Sequence, residues 1–264
     1  MTSKQMPKIT LHHLEASRSL RVLWLLEYLS VPYDLQFYPR DPETRYAKDT
    51  EPNSGKGLSA VHPLGRSPVL EVDGVVVAEA GAVLTVLLQH FPKQSEAASG
   101  AGDPRPMDLT REGQELNFWV QFGESSLFLH AIPFMYGFKG GVIDASSDGS
   151  SVYEKTCARG LKADLDHLEN ELGKKGGTLA GEGRVGPADI CTEVSLEFIK
   201  TGILRRRPTS YWSTLGIEGA LGPKTQAWME KCQKDESYLR ATEIEVKRGG
   251  KVHKSEDWLK PLYG

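Results

Sequence analysis

HPLGRSPVLEVDGVVVAEAGAVL, His62–Leu84, is the stretch whose reading decides the fold. Ser67-Pro68 stands directly before an apolar run, and a proline cannot donate to a strand ladder, so it belongs at the start or edge of a strand. Asp73-Gly74 then separates two apolar runs within VLEVDGVVV, residue types that tolerate the positive φ of a tight hairpin turn. Glu79 and Ala80 open a helix predicted to reach Phe91. Free N–H groups and the positive dipole end at its start attract a carboxylate, and the Glu79 side chain can pair with an ammonium. One helix end therefore offers both halves of an α-amino-acid site. A cis bond before Pro68, only about 0.5–1 kcal/mol above trans, would turn the adjacent backbone outward to pair with an extended ligand. The alternative is a trans proline opening an edge strand; Glu79 and Ala80 favour the cis reading.

Working outward, Lys8–Leu14 (KITLHHL) alternates as a strand. Ser17–Leu29 (SRSLRVLWLLEYL) reads as a helix apolar around most of its circumference, with Ser17 or Ser19 available as cap. Tyr33–Tyr38 (YDLQFY) is a second strand, giving a strand–helix–strand unit expected to be right-handed. Residues 39–57, with Pro39, Pro42, Pro52 and Gly55, read as a long loop holding one helical turn. Residues 93–106 (KQSEAASGAGDPRP) read as a linker. Beyond it the pattern is helical: 107–138 with a face of Leu116, Trp119, Phe122 and Phe128, kinked near Pro133; 152–174; Pro187–Thr201; and Pro223–Lys234. Segments 139–151 and 205–219 and the tail after Arg248 read as polar and irregular. The expectation is a small α/β domain over 1–92 and an all-helical domain over 107–264.

The bulk numbers narrow the function classes. The 264 residues are 39% hydrophobic and 25% charged, with net charge -3, as in an ordinary soluble globular protein. That balance gives no electrostatic reason to expect nucleic acid or an anionic membrane as partner. No apolar run approaches the roughly 20 residues that span a bilayer, and the start, MTSKQMPKITLHH, lacks a signal core. Cys157, Cys191 and Cys232 are odd in number and show no C-x-x-C spacing. They fit a cytoplasmic location and buried packing roles. No metal cluster, phosphate loop or nucleotide motif is apparent.

HHLEASRSLRVLWLLEYLSVPYDL and HPLGRSPVLEVDGVVVAEAGAVL together resemble the cytosolic glutathione S-transferases, especially fungal enzymes of the yeast type. The resemblance implies a thioredoxin-like α/β N-terminal domain, an all-α C-terminal domain, a homodimer, and glutathione as co-substrate with no metal. It implies that Ser67, before Pro68, pairs with the cysteinyl backbone of glutathione and that Glu79 meets the γ-glutamyl ammonium. The next position is usually Ser; here it is Ala80, so one side-chain hydrogen bond worth about 1–1.5 kcal/mol is missing. Arg66, and then His62, would reach the glycyl carboxylate. LAGEGRVGPADI, Leu179–Ile190, is similar to the family's capped central helix, with Gly186 as N-cap, Pro187 first in the helix and Asp189 reaching back to the cap amide. Asp189 is a folding residue on this reading.

The thiol of glutathione must ionise to attack an electrophile, from a pKa near 8.5. Lowering it by ~2 units takes about 2.7 kcal/mol. A hydroxyl hydrogen bond to the sulfur supplies roughly 1.5–3 kcal/mol, and a helix N-terminus about 0.3–1 kcal/mol. One serine at the start of the first helix therefore suffices. The resemblance points to Ser17, with Ser19 as the alternative and Arg18 as a further positive charge. His12 and His13 read as packing or surface residues, with His13 near enough in sequence to matter. No Tyr or Cys stands where other classes carry one. The second substrate, a small hydrophobic electrophile, is expected between the domains, with Trp119, Phe122 and Tyr211 as pocket candidates beside Phe118, Phe128, Tyr136 and Trp212. Conjugation, as in detoxification or fungal secondary metabolism, is the leading outcome. Cis/trans isomerisation of a conjugated double bond needs only the same thiolate, and a non-catalytic glutathione-binding regulator is the reading from a different class.

Overall fold

The computed structural model describes residues 6–41, 43–44, 46–48, 50–91, 105–181, 183–217 and 221–250. Most of the linker predicted over 93–106, and the end of the tail, lie outside them. Contacts divide the chain into two units: the described residues up to Gln114 together with those from Glu236 onward, and Glu115–Asp235.

In the first unit the order is β1 (Ile9–Leu14), α1 (Leu20–Leu29), β2 (Asp34–Tyr38), a 3-10 turn (Gly57–Ala60), β3 (Val69–Val72), β4 (Val75–Ala78) and α2 (Ala80–His90). The sheet runs β2-β1-β3-β4. β1 pairs in parallel with β2 and antiparallel with β3, and β3–β4 is the antiparallel hairpin about Asp73-Gly74. Positive φ at Asp73 and Gly74 (48° and 81°) matches the turn read from the sequence. This is a thioredoxin-like sheet. α1 is buried almost all round: Leu20, Val22, Leu23, Trp24, Leu25 and Leu26 are all inaccessible to solvent.

One reason is a helix absent from the sequence reading, Glu236–Lys247 (α9 in chain order). It packs on α1 with Ser237, Tyr238, Ala241 and Glu245 inward. Trp24 Nε1 donates to Ser237 Oγ at 2.9 Å, and its ring meets Tyr238 edge-on at 4.9 Å. Arg240 Nε donates to Glu27 Oε2 at 3.0 Å. By contacts this helix therefore groups with the α/β unit, whereas the boundary drawn from composition put it with residues 107–264.

The second unit contains α3 (Arg111–Phe122, which crosses the division), α4 (Leu129–Lys139), α5 (Val152–Lys174), α6 (Pro187–Gly202), α7 (Thr209–Thr214) and α8 (Pro223–Cys232). Pro133, where a kink is expected, lies inside α4, and Gly123–Phe128 is a π-turn between α3 and α4. Side-chain hydroxyls bond carbonyls at this junction, Ser125 donating to Gln121 O in the last turn of α3 at 2.9 Å and Ser195 to Gly123 O at 2.6 Å. α7 lies inside the stretch expected to be irregular at 205–219. α6 is buried from Pro187 to Glu197. At its start Asp189 accepts N–H bonds from Leu179, Ala180 and Gly186 and from Trp228 Nε1, at 2.6–3.1 Å. Burial pushes its carboxyl up while the donors pull it down.

Among the described residues no helix is long and apolar enough to cross a membrane, and no group of three or more His, Cys, Asp or Glu could hold a metal ion.

Candidate functional site

The Ser67–Pro68 peptide is cis. Ser67 stands where the β1–β3 ladder ends, at His12↔Val69. Its hydroxyl stitches that end closed, donating to His12 O at 2.8 Å and accepting Leu14 N–H at 3.1 Å. The side chain is committed to β1, so what Ser67 offers a ligand is backbone. An open cleft lies here, lined by Arg18, His62, Leu64, Arg66, Ser67, Pro68, Ala78, Glu79 and Ala80. Every glutathione-binding candidate named from the sequence is on that wall.

Glu79 is exposed at the N-cap of α2 with φ 74° and ψ 126°. A non-glycine residue there is strained by about 1–3 kcal/mol, and such strain clusters at ligand clamps. The Glu79 side chain makes no capping bond to α2. Its carboxylate is therefore left to the cleft rather than to its own helix. Ala80, the first helical residue, is 5% exposed and carries no polar group.

Residues before α1 form a second part of the site. Ala16 has φ 45°, and the turn it makes is held from two sides: its N–H donates to Glu245 Oε1 at 2.7 Å, and its carbonyl accepts from Arg40 Nη2 at 3.0 Å. Ser17, next in the chain, keeps 8% exposure, whereas Ser19 is fully buried. The two hydroxyl oxygens are 2.7 Å apart, and Ser17 Oγ also accepts Ser19 N–H at 3.2 Å. Ser19 is the N-cap of α1 by position but makes no side-chain cap bond. Its hydroxyl lies 2.7 Å from His13 Nδ1 instead. Arg18 lines the cleft; neither serine is on its wall.

Two further residues join this arrangement: His13, read from the sequence as a packing or surface residue near enough to matter, and Glu245, which the sequence reading did not mark. His13 is a fully buried histidine whose Nε2 lies 3.5 Å from Glu245 Oε1. The signal for His13 was its neighbour Ser19; Glu245 had none, because it sits on the helix that was missed.

The proposed electrophile residues separate into two groups. Trp119, Phe122 and Tyr211 are packed inside the helical unit, at 2%, 4% and 3% exposure. Trp119 stacks on His167, and Tyr211 donates to Glu154 Oε1 at 2.8 Å. Phe118 and Tyr136 are exposed. Cys191 and Cys232 are buried and Cys157 partly so, all as free thiols. Burial pushes the Cys157 and Cys232 thiols up, which disfavours either as a nucleophile.

Residues 17–89 match the family model "Glutathione S-transferase, N-terminal domain". Glutathione S-transferase 1 of Saccharomyces cerevisiae is 27% identical over 260 residues, which cover 90% of this chain and 95% of the yeast protein. A glutathione S-transferase from Actinobacillus pleuropneumoniae superposes with TM-score 0.66 at 24% identity, over 92% of this chain and 93% of that one. A sphingomonad glutathione S-transferase complexed with glutathione superposes with TM-score 0.60 at 20% identity, over 90% of this chain and 98% of its own.

Proposed function

We propose that this chain, a member of the glutathione S-transferase superfamily with yeast relatives, is a glutathione transferase that binds the tripeptide along the cis-Pro68 cleft and activates its thiol with Ser17. The cysteinyl backbone pairs with that of Ser67. The γ-glutamyl ammonium meets Glu79, and its carboxylate takes the N–H groups opening α2 at Ala80. Arg66 and His62 serve the glycyl carboxylate, and Arg18 adds positive potential at the sulfur end. The observation that carries this reading is the joint lining of one cleft by Arg18, His62, Arg66, Ser67, Pro68, Glu79 and Ala80.

Of the two serines, Ser17 is the one with surface left to present. Its hydroxyl, donated to the sulfur, stabilises the thiolate over the thiol, and a charge-assisted bond of this kind is worth roughly 1.5–3 kcal/mol. The thiolate adds to a small hydrophobic electrophile. We further propose a cytoplasmic homodimer acting in detoxification or secondary metabolism, on the strength of the family membership and the three free thiols.

The test is glutathione-dependent turnover of an aromatic halide, with thermal melting in millimolar glutathione. Turnover and a raised Tm are expected, since a ligand bound to the folded state stabilises it. A raised Tm with no turnover of any electrophile would favour the regulatory reading, and no shift in Tm would remove glutathione as ligand. Product analysis with a conjugated cis-alkene separates conjugation from isomerisation.

A further inference from the structure

From Ser17 inward the polar atoms line up: Ser17 Oγ, Ser19 Oγ and His13 Nδ1 at successive separations of 2.7 Å, then across the ring His13 Nε2, which faces Glu245 Oε1 at 3.5 Å. The inner members, Ser19, His13 and Glu245, have no solvent-accessible surface. Nε2 is buried with no hydrogen-bond partner at bonding distance and faces a carboxylate oxygen. The hydrogen of a neutral ring therefore belongs on Nε2, leaving Nδ1 as acceptor. Ser19 then donates to Nδ1, and Ser17 donates to Ser19. Ser19's other acceptor, Leu14 O, is farther at 3.4 Å. Every hydroxyl hydrogen points inward, and a lone pair of Ser17 remains for an approaching S–H.

We infer that the proton leaving the glutathione thiol goes not to solvent but to the buried ring of His13, through Ser17 and Ser19, with Glu245 as the positioning residue that holds the resulting imidazolium. This rests on Ser17 being the thiol's partner, as proposed above. The thiol S–H bond breaks and its hydrogen bonds to Ser17 Oγ. Ser17's former hydrogen passes to Ser19 Oγ, and Ser19's passes to His13 Nδ1. Two opposite charges result, thiolate and imidazolium, and nothing is oxidised or reduced. After the shift the new Ser17 hydroxyl points at the sulfur, so the relay delivers the hydrogen bond that stabilises the thiolate.

Glu245 is suited to the role by a second contact. The oxygen that faces His13 also accepts the Ala16 N–H, which fixes the turn presenting Ser17. On the β2 side Phe37 packs against the ring, with centroids 5.8 Å apart. Glu15 and Arg40 lie nearby and bind each other and the backbone at residues 15 and 16. His12, the chain neighbour, is engaged by Tyr38 and Glu71.

The experiment needs first only the wild-type protein. Glutathione is titrated in calorimetry using buffers of different ionisation enthalpy, while thiolate is followed by its ultraviolet absorbance. Thiolate formation with essentially no net proton released is expected; one proton released per thiolate would overturn the relay. His13→Asn keeps a polar atom for Ser19 but accepts no proton, and Glu245→Gln keeps an acceptor for Ala16 but not the charge. In variants that still bind glutathione with wild-type affinity, the thiolate midpoint should rise by about one unit, the low end of the effect of an opposite charge at close range. Glu245→Asp, which keeps the charge, should show only part of that rise. An unchanged midpoint in His13→Asn would overturn the inference, while loss of thiolate in Ser17→Ala alone would leave the serine reading intact. Absence of any thiolate in the wild type would remove the serine reading itself.

Discussion

Glu245 Oε1 accepts the backbone N–H of Ala16 at 2.7 Å across 229 positions of sequence. The bond ties the last described helix to the turn at the start of α1, and it holds Ala16 in the left-handed region that alanine enters at a cost of about 1–2 kcal/mol. Arg40 holds the other end of the same residue. Ser17 is thereby presented by a turn fixed at both of Ala16's backbone groups.

Ser17→Ala removes the hydroxyl assigned to the sulfur. The loss of roughly 1.5–3 kcal/mol of thiolate stabilisation corresponds to a fall of about 10- to 150-fold in kcat/KM for conjugation at neutral pH. Glutathione affinity should change far less, because the tripeptide's backbone and termini are held elsewhere. Steady-state kinetics with glutathione varied checks both; unchanged kcat/KM would exclude Ser17.

Ala80→Ser should tighten glutathione. The site is the first residue of α2 on the cleft wall, and a new hydroxyl bond to the γ-glutamyl carboxylate adds about 1–1.5 kcal/mol, or some five- to tenfold in Kd. Calorimetric titration reads it directly, and equal affinity would place that carboxylate away from Ala80.

Glu79→Gly trades function for stability. Glycine takes φ 74° and ψ 126° without the steric strain glutamate bears there, so the melting temperature should rise by the equivalent of about 1 kcal/mol. Glutathione affinity should drop roughly tenfold with the lost charge-assisted bond to the ammonium. A variant both less stable and equally tight in binding would refute the assignment of strain and charge to this residue.

His12 makes a pH-dependent contribution to stability. Desolvation lowers its pKa below 6.5, partly offset by attraction to Glu71. The unfolded state then binds the proton more readily, so this stability is fully present above pH 6.5 and is lost as pH falls from there through the folded value. Urea unfolding between neutral and mildly acidic pH should show stability declining, and His12→Gln should flatten the slope. Equal slopes would assign the effect elsewhere.

Asp189→Asn replaces an acceptor of four donors, three of them in buried bonds, with a group that brings two donors of its own. We expect about 2–4 kcal/mol of destabilisation, measured by denaturant unfolding, with glutathione affinity retained in the folded fraction. A loss under about 0.5 kcal/mol would contradict the folding role.

The α/β half was legible because its signals are local. The Asp73-Gly74 turn, the proline ahead of β3 and the short alternating runs each depend on neighbours a few residues apart. The cleft wall was legible through the family resemblance, which placed Arg66, Ser67, Glu79 and Ala80 together. α9 was the largest omission, although Tyr238, Ala241 and Glu245 recur at helical spacing and Glu243–Lys247 is an i,i+4 pair. Its apolar face is thin, because one of its buried positions is a glutamate. That same glutamate was invisible as a functional residue: its partners Ala16 and His13 are set by tertiary packing. The aromatic candidates Trp119, Phe122 and Tyr211 show the converse limit, since periodicity marks an apolar face without telling a core from a pocket.

The central claim is tested most directly by a crystal structure of the protein with glutathione. The account predicts the tripeptide extended beside Pro68, its backbone paired with Ser67, its ammonium on Glu79 and its sulfur within hydrogen-bonding distance of Ser17 Oγ. A sulfur turned away from Ser17, or a tripeptide bound outside this cleft, would contradict it.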